Sequence, residues 1–92
     1  MINILESVRM ALRISTSDFD LELIRLINSA IDDLGIAGVR VDDPDDWPIV
    51  ITAVCTYCKM NFGQPENYDR LKKSYDEQKA QLSTSSVFNG GV

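Results

Sequence analysis

The sequence predicts an all-α protein, one small domain of four helices around a buried third helix, with a flexible C-terminal tail. Two observations carry this. Apolar residues recur at three- and four-residue spacing in four separate segments, and no stretch alternates with period two for long enough to build a sheet. The third segment, Trp47 to Phe62, holds Ile49, Val50, Ile51, Ala53, Val54, Cys55, Tyr57, Cys58, Met60 and Phe62 and leaves almost no polar face. A helix that is apolar all round must be covered on several sides. In a chain of 92 residues the cover consists of a few short helices, so either they wrap it tightly or neighbouring molecules share the work.

The first helix is expected over Ile4 to Arg13, with Asn3 as N-cap and Glu6 three residues later in capping-box spacing. Leu5, Val8 and Leu12 form its apolar stripe. Ile14-Ser15-Thr16-Ser17-Asp18 then breaks the pattern, because these polar side chains bond local backbone instead of continuing a helix. Ser17 with Asp20 makes the next cap, and Leu23, Ile24, Ile27, Ala30, Ile31 and Leu34, with Phe19, Leu21 and Leu26 broadening the face, mark a second helix from Asp18 to Leu34. Gly35 is placed to end it in a left-handed conformation, with Ile36 packing back on the last turn.

Gly35 to Trp47 is the longest internal loop. Its first part holds Ile36, Val39 and Val41, apolar residues with no regular element to claim them. Its second part, Asp42-Asp43-Pro44-Asp45-Asp46, is a dense acidic run. Pro48 suits a first helical turn, so the third helix begins near Asp46 to Pro48 with carboxylates at its positive end. Gly63-Gln64-Pro65 closes it and opens a fourth helix whose seam is Tyr68, Leu71, Tyr75, Gln78 and Leu82. Glu66 with Arg70, and Asp69 with Lys73, sit at i, i+4 on its open face. The domain is taken as residues 1–82, and residues 83–92, rich in Ser, Asn and Gly, as a flexible tail that orders against a partner.

Charge narrows the function. The net charge is −5, and it is uneven: residues 1–58 carry four arginines against ten acids, while residues 59–92 carry five bases against four acids and all of the lysines. No basic stripe exists to displace counterions from a nucleic acid, so tight autonomous DNA or RNA binding is not expected. Histidine is absent, which removes the commonest general base and metal ligand. Met1-Ile2-Asn3 leads directly to Glu6 and Arg9, so neither a signal peptide nor a membrane span is expected, and the chain is read as cytosolic when made.

Cys55-Thr56-Tyr57-Cys58 has CxxC spacing, but it falls mid-helix in an apolar segment. Redox pairs of this spacing sit at a helix N-terminus after a strand, and a zinc site needs two further ligands. The two thiols are therefore read as core residues. Asp42, Asp43, Asp45 and Asp46 lack the EF-hand pattern, and Pro44 interrupts them, so they are read as a solvated acidic loop and not as a calcium site. Arg70, Lys72, Lys73 and Lys79 are interleaved with acids and read as a solvated face. No catalytic residue, cofactor or metal site is expected.

Tyr68 and Tyr75 are amphipathic anchors on the last helix, of the kind favoured where a helix meets another surface. Together with Ile36, Val39 and Val41 they amount to more apolar surface than a monomer needs.

The order of these segments resembles the small head-tail connector (adaptor) proteins of long-tailed double-stranded DNA phages, also called phage DNA-packaging proteins. The resemblance rests on Ala11-Leu12-Arg13-Ile14 at the end of the first helix and on Leu23-Ile24-Arg25-Leu26-Ile27-Asn28-Ser29-Ala30-Ile31. It continues through Pro48-Ile49-Val50-Ile51-Thr52-Ala53-Val54, Tyr57, Asn61-Phe62-Gly63 and the Tyr-bearing last helix, covering about residues 3–82.

The resemblance implies a non-enzymatic virion subunit at the head-tail interface, assembled in the host cytoplasm. It also implies a homo-oligomeric ring under the portal that extends the DNA channel and docks the stopper or tail-completion protein. Its partners would be copies of itself, the portal protein and the stopper, with DNA only as non-specific cargo and no membrane. Ile36, Val39, Val41, Tyr68, Leu71 and Tyr75 are the candidates for the subunit or portal interface. Asp42, Asp43, Asp45 and Asp46 are candidates for the channel wall. The alternative is a small helical interaction or regulatory module acting as monomer or dimer.

Overall fold

The computed structural model describes residues 3–40 and 47–84. Val41, the acidic run with Asp42, Asp43, Asp45 and Asp46, and residues 85–92 of the expected tail lie outside the described residues. Those described form four helices and no strand: α1 (Ile4–Leu12), α2 (Asp20–Ile36), α3 (Pro48–Asn61) and α4 (Tyr68–Ser83). The all-α expectation holds.

α1 starts as its sequence dictates. Asn3 is extended, and its Oδ1 accepts the Glu6 N–H at 2.8 Å, satisfying one of the donors that a helix start leaves without a partner. The end is less usual. Arg13 takes φ 59°, ψ 41°, its N–H donates to the Met10 carbonyl at 3.2 Å, and the Ile14 N–H donates to the Arg9 carbonyl at 2.8 Å. This is a Schellman-type stop with a β-carbon in the left-handed region, where glycine is normally preferred.

α2 begins at Asp20, two residues later than expected. Ser17 does not cap it with its side chain. The Ser17 carbonyl accepts the Asp20 N–H at 3.1 Å, and Thr16 Oγ1 accepts the Asp18 N–H at 3.2 Å, so a local turn consumes the polar groups that would have started the helix.

The C-terminal end of α2 also differs. Gly35 is helical, and the left-handed residue is Gly38 at φ +94°. The Gly38 N–H donates to the Gly35 carbonyl at 3.0 Å and the Val39 N–H to the Leu34 carbonyl at 2.9 Å, the paired bonds of a Schellman motif. Val39, buried together with Leu34, supplies the apolar contact expected of Ile36, while Ile36 is 87 % exposed.

α3 is the hub, packing against α1, α2 and α4. Pro48 occupies its first turn, where a missing N–H is harmless. Val50, Ala53, Val54 and Cys58 are sealed from solvent, with Val8, Leu23, Leu34, Tyr75 and Leu82 arriving from the other helices. The exposed strip of α3 is narrow. It includes Thr52, whose hydroxyl donates to the Pro48 carbonyl, and Lys59.

α4 begins at Tyr68 and not at Pro65, after Gly63 at φ +72° has turned the chain. Tyr75 and Leu82 are buried, Leu71 and Gln78 are half-buried, and Tyr68 is exposed. The i, i+4 pair that closes on α4 is Lys72 with Asp76 at 2.9 Å, and not Glu66 with Arg70 or Asp69 with Lys73. Glu66 precedes the helix start, and Asp69 stands in its first turn, where the helix dipole already accommodates a carboxylate.

A candidate assembly surface

Three features of the folded chain bear on function: a polar clamp that fixes α4, a pair of interior thiols, and apolar side chains left outside.

The clamp centres on Asp33 near the end of α2. Its Oδ2 accepts the Tyr75 hydroxyl at 2.6 Å and the Lys79 ammonium at 3.1 Å, and Lys79 also lies 5.2 Å from the centre of the Tyr75 ring. The Tyr57 ring meets Tyr75 edge-on at 5.3 Å. Partial burial would raise the Asp33 pKa, but the Tyr75 and Lys79 bonds outweigh it and hold the carboxyl below its ordinary value. Desolvation, reinforced by the bond to Asp33, pushes the Tyr75 hydroxyl far up, so it remains a donor at any physiological pH. A second clamp joins α1 to α2, where Arg9 Nε reaches Asp20 Oδ1 at 2.8 Å and Nη2 bonds the other carboxylate oxygen. This bidentate geometry fixes orientation as well as distance.

Cys58 is sealed in the core and Cys55 is half-buried, and both are free thiols. Desolvation pushes Cys58 up to about 12 and raises Cys55 as well. A thiolate is the reactive form, so neither group is set up as a nucleophile or metal ligand at neutral pH. Among the described residues no three His, Cys, Asp or Glu side chains converge as a metal site. No helix there is long and apolar enough to cross a membrane.

Among the described residues most of the large exposed apolar side chains fall at two places, with Tyr68 apart from both at the start of α4. Met10, Leu21 and Ile24 lie where the end of α1 meets the start of α2, and Ile36, Trp47 and Ile49 lie where the end of α2 meets the start of α3. Between the end of α2 and α3 is an open cleft of about 720 Å³ with Leu34, Val39 and Val50 in its lining, Ile36 beside them, and the charged Asp32 and Arg40.

The residues expected at an interface are thus divided. Ile36 and Tyr68 are exposed, Leu71 is half-buried against the core, and Val39 and Tyr75 are committed to the subunit's own interior. Val41 and the four aspartates lie outside the described residues. Sequence reasoning missed Leu21 and Met10, which it counted among the residues broadening an inward face or did not single out. The signal available for Leu21 is that it falls about 160° round α2 from Leu23, on the polar side with Arg25 and Asp32.

A small helical bundle with large apolar side chains exposed beside an open cleft offers surfaces for association. The chain is a member of the phage connector protein family, whose sequence model matches residues 4–87. It is accordingly a phage structural protein and a virion component. Searches among curated proteins and among solved structures returned no match.

Proposed function

We propose that the chain is a head-tail connector subunit that forms a homo-oligomeric ring beneath the portal, extends the DNA channel and docks the stopper or tail-completion protein. Membership of the connector family supports this reading. The observation that carries it further is the exposure of large apolar side chains at both ends of α2, with Leu21 86 % and Ile36 87 % open to solvent. Single exposed leucines are ordinary; two clusters, one beside a cleft, mark contact surfaces.

On this reading Ile36 and Tyr68 touch a neighbour or the portal, and Val39, Leu71 and Tyr75 hold that surface in place from beneath. Val41 is a further candidate for that contact, and Asp42, Asp43, Asp45 and Asp46 are candidates for the channel wall, where negative charge repels phosphate and lets DNA slide. The subunit brings no catalysis and no cofactor. DNA is cargo to it.

The test is to add the purified protein to portal-bearing, tailless heads of its phage and image the vertex. A ring of added density coaxial with the portal is expected. A protein that stays monomeric or dimeric and leaves the vertex bare would sink the connector reading in favour of a small regulatory module.

A further inference from the structure

We propose that the apolar projection at the start of α2, led by Leu21, seats in the cleft at the end of α2 of a second copy of this chain. The proposal rests on the ring reading and names its subunit contact. Leu21 and Ile36 are fifteen residues apart on one helix, which places the two patches about 22 Å from each other. Projection and cleft are therefore different surfaces of one molecule, as a head-to-tail contact requires.

The shapes are complementary. Leu21 is the most prominent side chain of its patch, Ile24 stands one turn along, and the exposed Met10 of α1 adjoins in sequence the Arg9 that is bonded to Asp20. The receiving cleft offers the accessible apolar surface of Ile31 and Ile36 above a floor of buried Leu34, Val39 and Val50, and at about 720 Å³ it has room for a leucine and parts of its neighbours.

The charges are complementary as well. Asp32 and Arg40 border the cleft, and Glu22 and Arg25 border Leu21; none of the four has an ion-pair partner among the described residues. One acid and one base on each side permit two opposite-charge pairs when Leu21 enters. Such pairs set orientation more than they add affinity. The commitment to a second copy rests on this matching.

The decisive experiment uses two full-length variants, Leu21→Asp and Ile36→Glu, studied alone and mixed in equal amounts by sedimentation velocity up to millimolar concentration. Both positions are exposed, so circular dichroism should show wild-type helix content. Each variant alone should self-associate at least about thirtyfold more weakly than wild type, because a buried apolar contact is replaced by a carboxylate. The mixture should form a one-to-one dimer, since the intact Leu21 of one variant meets the intact cleft of the other.

Wild-type association that both substitutions leave unchanged overturns this contact while leaving the ring reading intact. A mixture no better than its components also overturns it. A wild-type assembly that stops at two copies, with the mixture restored, supports the contact and overturns the ring. Wild type that stays single at every concentration overturns the contact, whatever it does at a portal.

Discussion

Asp33 is the residue on which the placement of α4 turns. It receives a phenol from Tyr75 and an ammonium from Lys79, and a third of its side chain still faces water, which screens the charge. Replacing it in an Asp33→Asn variant should lower stability by about 1–2 kcal/mol, the usual loss when hydrogen bonds to a charged group are weakened at a partly open site. The pH dependence follows from the depressed folded-state pKa. Its contribution is complete above the unfolded value near 3.8 and disappears as pH falls through the lower folded value. Asp20, held down by its bond to Arg9, acts with the same sign. Thermal melts below about pH 4 should therefore show wild type losing more stability than Asp33→Asn, which retains only the Asp20 share. Tyr75 was legible as an anchor from its spacing on the last helix. Its partner was not, because Asp33 stands 42 positions upstream and helical periodicity is silent about such pairs.

At the scale of elements, the end of α2 shows where local reading reaches its limit. Gly35-Ile36-Ala37-Gly38-Val39 offers two glycines, each followed by an apolar residue, so either could be the left-handed stop. The helix runs on through Gly35 and Ile36 to an Ala37 cap, and the stop at Gly38 brings Val39 into the core. Tertiary burial made the choice. The two glycines should respond oppositely to alanine. A β-carbon at Gly35 would meet nothing within 4 Å in helical backbone, so Gly35→Ala should gain about 0.5–1 kcal/mol. Gly38 sits at φ +94°, so Gly38→Ala should lose about 1 kcal/mol or more. Urea denaturation of both variants measures the difference. The same limit explains the start of α2, where Thr16 and Ser17 spent their hydrogen bonds on a turn. The helices themselves, the Asn3 cap and the stop after Phe62 were readable because capping groups and apolar period lie within a few residues of each other.

For the molecule as a whole, the central position of α3 was the most legible fact, since a segment with so little polar surface has nowhere else to go. The outward faces were less so: Leu21 and Leu23 differ in nothing but the side of α2 on which they fall, and that side shows itself as polar only when helical phase is followed through Arg25 to Asp32. Cys58, deep in the helix that touches all the others, reports on the integrity of the whole. At pH 8 it should resist iodoacetamide in the native protein and react only at the rate of global unfolding, with Cys55 labelled sooner; comparable rates at the two thiols would mean that the core opens piecemeal. Raised thiol pKa values favour the protonated, folded state and are lost as pH climbs from 9 toward 12, so alkaline solution should loosen the same centre. The hub arrangement has a further consequence during synthesis. While α1 and α2 leave the ribosome the Arg9–Asp20 link can join them, but their apolar sides still lack α3, which covers both in the finished fold. A nascent chain halted before residue 48 is two amphipathic rods without a shared interior, so host chaperones and proteases meet this polypeptide mainly in that interval.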